Sequence, residues 1–400
     1  MTRQLSRSAN AFPLVLWAMG LFFLCLGFTA RIDIPLALFA VTAAVAFNQE
    51  GNTSGWLELA RNHWPLAFFL TVAIVTTLFS VDPRHSLGVQ PQLLPAVLSY
   101  CVIARFITTP ERQHFFCATL LASGLLTVSL MLLGIYSTTI DDPLERIKLL
   151  GNALFIVPND ILMLSVIAPL TLALAWNSGI CLRLLVGTYL LLTLLASVII
   201  SSRQSVLIFL LGQSTFFALM KPRWFVPIFV AGAASGAIVD WLLGWPLANK
   251  ILMFPRTYVW HTAWVMFMDQ PWFGQGPGMF KDLYFPFLQK AGYVVAELGD
   301  RRNMPWAHSL YLEQLAERGI FGLVALLGLL TTSMKKAWDY TIGRTKLPSN
   351  PGLGAGLLGS LLSLVIAGIA EATLSRLWVT VILLALVGLC TTLKQDPQKF

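Results

Sequence analysis

Along its whole length the chain alternates apolar runs with polar connections. The runs lie near residues 11–30, 33–48, 64–81, 92–108, 115–136, 153–175, 181–200, 204–220, 224–243, 307–334, 352–371 and 376–393. About twenty predominantly apolar residues are what an α-helix needs to cross a bilayer. The pattern therefore predicts an all-α polytopic membrane protein with about twelve transmembrane helices. It excludes a transmembrane barrel, whose strands alternate over only about ten residues. The run at 92–108 is the weakest, interrupted by Pro95 and Arg105, and the run at 307–334 is long enough to begin with an interfacial turn. Arg3 and Arg7 precede the first run, which is too long for a signal peptide's apolar core. Bulky Phe28 also stands where cleavage needs a small residue, so this run reads as a retained helix.

Most connections are short, but residues 244–305 are not. They mix charge, Gly and Pro with many aromatics, among them Trp260, Trp264, Trp272 and Tyr284, a composition unlike that of disordered segments. Apolar residues at helical spacing from Arg256 to Met268 predict an amphipathic helix near the membrane surface. Three regions follow: transmembrane helices 1–9 over residues 1–243, a long loop over 244–305 (periplasmic on the resemblance given below), and helices 10–12 over 306–400.

Orientation follows from the distribution of Lys and Arg. One side collects Arg3, Arg7, Arg61, Arg105, Arg112, Arg183, Lys221, Arg223, Lys335, Lys336, Arg344, Lys346, Lys394 and Lys399. The short connections of the other side hold only Arg31, Arg84, Arg146, Lys148, Arg203 and Arg376. Both termini are expected to be cytoplasmic, with the long loop outside.

Composition agrees. Of 400 residues, 56% are apolar and only 12% charged, and the mean hydropathy is +0.73. Charge that sparse cannot cover a water-facing surface. The net charge of +8 comes from basic residues scattered between apolar runs, so it marks topology and does not point to nucleic acid. Cys25, Cys101, Cys117, Cys181 and Cys390 lie in or beside apolar runs without CxxC spacing, which indicates neither a disulfide framework nor a zinc site.

Several chemistries lack their residues. There is no GxxxxGK[ST], no DxD and no HExxH, so the usual ATPase and metal-dependent sites are missing. Gly274, Gly276 and Gly278 in PWFGQGPGMF follow no strand and read as a tight turn, not a dinucleotide loop. Present on the external side are cations around one histidine. Arg203 stands in SSRQS, Arg256 in PRTYVWHTAW, and Arg301, Arg302 and His308 in DRRNMPWAHS. Arginine clamps phosphate with a planar fork that never loses its charge, and histidine can accept a proton near neutral pH. Arginines plus a base at a lipid boundary suit a reaction whose leaving group is a phosphorylated lipid. Each has a plainer reading. Arg203 and Arg256 can be interfacial anchors, only one of Arg301 and Arg302 need face a site, and His308 can belong to an aromatic belt with Trp306. His261 competes for the base role. Asn159 and Asp160 interrupt the sixth span, as a functional acid or as a helix–helix contact. Glu371 and Arg376 flank the last external turn, where they can simply pair with each other.

The segment HSLYLEQLAERGIFGLV resembles the signature of the O-antigen ligase family: His308 and Ser309, nine residues, Gly319, and Gly322 three further on. Ser202 with Arg203, and the long loop opening at Arg256, are likewise similar to the wider ligase and polymerase superfamily. The resemblance covers about residues 200–330. It implies a metal-independent, inverting glycosyltransferase of a Gram-negative inner membrane, without cofactor, acting at the periplasmic face. Its substrates would be undecaprenyl-diphosphate-linked O-antigen and lipid A–core oligosaccharide. His308 would activate the acceptor hydroxyl, while Arg203 and Arg256, with Arg301 or Arg302, hold the diphosphate. An O-antigen polymerase shares these features, and a lipid-linked sugar transporter is the alternative outside the enzymes.

Overall fold

The computed structural model describes residues 2–27, 32–50, 63–136, 161–176, 178–242, 244, 256–298, 301–343 and 350–393. Among these residues all regular structure is helical: α1 (Thr2–Cys25), α2 (Asp33–Glu50), α3 (Trp64–Leu78), α4 (Pro83–Val89), α5 (Leu94–Phe106), α6 (Pro110–Tyr136), α7 (Ile161–Trp176), α8 (Ile180–Ile199), α9 (Arg203–Met220), α10 (Pro222–Leu242), α11 (Thr257–Asp269), α12 (Met279–Lys290), α13 (Leu310–Thr341), α14 (Pro351–Ala370) and α15 (Leu377–Thr391). Asn159 and Asp160 lie outside the described residues.

Among the described residues, seven stretches are long and apolar enough to cross a membrane. They are Pro83–Phe106 through α4 and α5, Pro110–Gly134 of α6, and all of α8, α9, α10, α13 and α14. Five shorter apolar helices, in α1, α2, α3, α7 and α15, lie where the hydropathy pattern places the other expected spans. The chain is thus a helical, multi-pass membrane protein. The weak span expected at 92–108 begins earlier than the pattern predicts. Asp82 caps α4 by accepting from the backbone N–H groups of Arg84 and His85, and a 3₁₀ turn at Gln90–Leu93 carries the chain into α5.

Two kinds of helix divide the labour. α7 and α15 are apolar on every side and buried along most of their length, as a helix at the centre of a bundle must be. α8 and α10 instead turn Leu184, Leu191, Val226, Val230 and Trp241 outward, an apolar surface suited to lipid. α14 packs between α7, α9 and α13. Small residues permit this close approach. A Cβ on Gly212 would come within 2.4 Å of Ser363 Oγ, and one on Gly359 within 2.8 Å of the Gly212 carbonyl oxygen. Gly359 against Gly212 and Ser363 against Ile208 run α9 and α14 antiparallel, so the start of α9 lies level with the end of α14.

The long connection is more ordered than one surface helix. The helix expected from Arg256 to Met268 runs Thr257–Asp269, and the pattern did not reveal the second, α12. Together with α13 they enclose a separate core of Val259, Met266, Phe280, Tyr284, Leu288 and Ala307. Lys290 pairs with Asp269, tying the end of α12 to the end of α11. Between these helices, Gly274, Gly276 and Gly278 adopt φ of 68°, 116° and 77°. The turn they form docks on a break in α13 at Gly319, where φ is 64° and ψ −162°. Gln275 N–H donates to the Ala316 carbonyl and Gly276 N–H to that of Glu317, both at 2.9 Å, while Ile320 N–H donates to that of Pro271 at 2.8 Å.

Candidate active site

The end of α14 organises the site. Glu371 follows its last residue, Ala370, and three groups, two of them distant in sequence, converge on this one carboxylate. Arg256 Nη1 lies 2.5 Å from Glu371 Oε2 and also donates to the Ala370 carbonyl oxygen. Arg376 Nη2 lies 3.4 Å from Oε1, and His308 Nδ1 lies 3.5 Å from the same oxygen. Burial alone would raise the pKa of Glu371. The facing His308 ring and the Arg256 and Arg376 guanidiniums outweigh it and hold the carboxyl down at about 2.

His308 owes its position to a helix start. Ser309 caps α13, accepting from Leu312 N–H, and donates to the Gly368 carbonyl oxygen on α14 at 3.4 Å. His308, just before the cap, takes φ of 52°. Among the described residues the only other non-glycine with positive φ is Ser201, two residues before Arg203. Both left-handed residues thus adjoin candidate site residues, the setting in which such strain is retained. His308 Nδ1 is buried, with Glu371 Oε1 as its ion-pair partner, whereas the side chain is 17% exposed. Trp306 fixes the neighbourhood: its ring stands T-shaped to His308 with centroids 6.0 Å apart, and the Arg376 guanidinium lies 4.7 Å over its centroid.

These groups line an open cavity of about 360 Å³, bounded by Arg256, Arg302, Asn303, Met304, Pro305, Trp306, His308, Glu371 and Arg376. The sequence-predicted candidates divide around it. Arg256, Arg302 and His308 line it together. Arg301 turns away and donates to the Ala296 carbonyl at 2.7 Å. His261 lies on exposed α11 surface, 3.2 Å from the Tyr293 hydroxyl. Arg203 is not among the lining residues, but it shares this end of the bundle. Ser363 Oγ donates to the Ile208 carbonyl, and five residues back along α9, about 7.5 Å, brings Arg203 level with the last turn of α14. Glu371 and Arg376 do pair as the sequence suggested, but within a four-group cluster whose other members come from elsewhere in the chain.

The electrostatics favour an anion. The N-terminal end of a helix is positive and normally attracts acids. Here Arg203 opens α9, Arg256 precedes the first residue of α11 and Arg376 that of α15, with no acid in the first turn of any of them. Glu371 supplies one charge within the cluster, while the cavity is lined by three arginines. Such a site can clamp a diphosphate beside a histidine that takes up a proton. Among the described residues no three His, Cys, Asp or Glu side chains gather as metal ligands.

The O-antigen ligase family model matches residues 188–327. That match supports membership of the O-antigen ligase and polymerase superfamily. It spans Arg203, Arg256, Arg302, His308 and the Gly319 break, while Glu371 and Arg376 lie beyond it. No curated protein matches the chain.

Proposed function

We propose that this membrane protein is an O-antigen ligase. It transfers O-antigen polysaccharide from undecaprenyl diphosphate to a sugar hydroxyl of lipid A–core oligosaccharide, at the periplasmic face of the inner membrane. The observation that carries the reading is the single cavity that His308 lines together with Arg256, Arg302 and Arg376. In the reaction, His308 Nε2 takes the acceptor hydroxyl proton as that oxygen bonds to the anomeric carbon. The bond from that carbon to the diphosphate oxygen breaks, and its electron pair leaves with the diphosphate. Arg256, Arg302 and Arg376 stabilise the growing negative charge, aided by Arg203 at the same end of the bundle. Single displacement inverts the anomeric centre. The diphosphate linkage is already activated, so no nucleotide is required, and no metal is expected to assist.

A polymerase would use the same proton transfer and the same leaving group, with a second undecaprenyl-linked chain as acceptor. A transporter is disfavoured, because its charges would line a path through the bilayer midplane and not gather at one end. The deciding experiment is reconstitution of purified protein with lipid-linked O-antigen and, separately, each acceptor, without nucleotide and with EDTA. Polymer attached to lipid A–core with inverted anomeric configuration is the expected product. Elongated lipid-linked chains alone would make it a polymerase. Loss of transfer in EDTA, restored by Mg²⁺, would overturn the metal-free mechanism.

A further inference from the structure

Glu371 neither gives nor takes the proton in that reaction, yet it touches three members of the site. Its position is costly: a carboxylate at the negative end of α14, 9% exposed, with its two oxygens divided among Arg256, Arg376 and His308. A plain ion pair would need only one of these. We propose that Glu371 is a positioning residue with two opposed effects, orienting His308 for proton transfer while occupying the cations that a donor diphosphate must claim. The proposal rests on reading the site as a diphosphate-using transferase.

The orienting effect follows from hydrogen-bond inventory. An ionised carboxylate only accepts, so Glu371 Oε1, 3.5 Å from Nδ1, favours the tautomer with the proton on Nδ1 and leaves Nε2 as the basic nitrogen. The same negative charge stabilises the imidazolium formed once Nε2 has taken the acceptor's proton. The opposing effect follows from charge. Arg256 is held by Glu371 and the Ala370 carbonyl together, so its fork is committed inside the protein in the absence of donor. A diphosphate entering the cavity competes with Glu371 for Arg256 and Arg376, and meets the carboxylate's repulsion. Neutralising Glu371 should therefore bind the anion more tightly and turn over more slowly. A merely structural carboxylate predicts weaker binding as well as slower turnover, because the arginines would lose their support.

The test uses full-length protein in detergent, shown monodisperse and assayed below its melting temperature. Inorganic diphosphate is the binding probe, measured by calorimetry, and transfer from lipid-linked donor gives kcat. Glu371→Gln is expected to bind diphosphate several-fold more tightly while kcat falls roughly tenfold or more. Glu371→Asp, which keeps the charge on a shorter arm, should keep wild-type diphosphate affinity and recover part of kcat. Weaker or unchanged diphosphate binding in Glu371→Gln overturns the occupancy effect, and an unchanged kcat overturns the orienting effect. A sugar found covalently attached to Glu371 would overturn both, by making it a nucleophile. The binding arm needs no donor. Wild-type protein that binds diphosphate but transfers nothing would therefore count against the transferase reading, and the effect of the carboxylate would still be measured.

Discussion

At the scale of the residue, two histidines separate the catalytic reading from a surface one. His308 lines the arginine-rich cavity, whereas His261 meets Tyr293 on the exposed face of α11. His308→Ala should lower turnover by about 10²–10⁴ at matched membrane expression, while His261→Ala keeps most activity. Attachment of polymer to lipid A–core reads both, and the reverse result would move the base to His261. Glu371 makes a second prediction, on pH. Its folded-state pKa of about 2 lies below the ordinary value of 4.5. A depressed carboxylate stabilises the fold fully above its unfolded pKa and loses that contribution as pH falls through its folded pKa. The melting temperature of wild type should exceed that of Glu371→Gln at pH 6, and the gap should shrink on acidification from about 4.5 towards about 2. A gap that did not change with pH would refute the ion-pair account.

At the scale of the element, helix ends make the site and one helix break sets its neighbours. Arg203 and Arg256 stand at the starts of α9 and α11, and their planar forks are what a diphosphate needs. Arg203→Lys and Arg256→Lys keep the charge but lose the fork, so each should cut transfer substantially even in well-folded protein. Wild-type rates in both variants would place the diphosphate elsewhere. Gly319 carries a different burden. Its φ of 64° and the Trp272 carbonyl oxygen, 2.3 Å from where a Cβ would sit, leave no room for a side chain. Gly319→Ala should cost about 2 kcal/mol or more and undock the glycine turn. Thermal unfolding together with proteolysis near Gly274 would show it, and an unaltered melting temperature would argue against the packing described.

At the scale of the whole molecule, the cluster lies at the end of the bundle that the charge distribution assigns to the periplasm. Arg203 stands at the turn before α9, Arg256, Arg302 and His308 belong to the long connection before α13, and Glu371 and Arg376 to the turn between α14 and α15, three connections that the distribution of Lys and Arg assigns to one side. This proposed orientation is open to a direct measurement. Single cysteines introduced at Arg301 and at Lys335 into a cysteine-free background should differ in whole cells. An impermeant maleimide should label the first and not the second. Labelling at Lys335 alone would invert the protein and move the site to the cytoplasmic face.

Hydropathy made the helical, membrane-embedded architecture legible in the sequence, because hydrocarbon imposes one length and one composition on any segment that crosses it. The arginine and histidine chemistry was legible too, since fixed charge and proton affinity belong to the side chain wherever it sits. The spacing from His308 to Gly319 could be read, but its purpose could not. It measures the first turns of α13 from a helix cap to the break on which the glycine turn docks. Glu371 was seen only as a local partner for Arg376. That it also meets Arg256, 115 positions earlier, depends on how α11, α13 and α14 pack. The choice between Arg301 and Arg302 likewise fell to the path of the chain into Ser309. Hydropathy and motifs describe neighbours along the chain, whereas a buried carboxylate shared among distant cations exists only once the helices that carry them have been brought together.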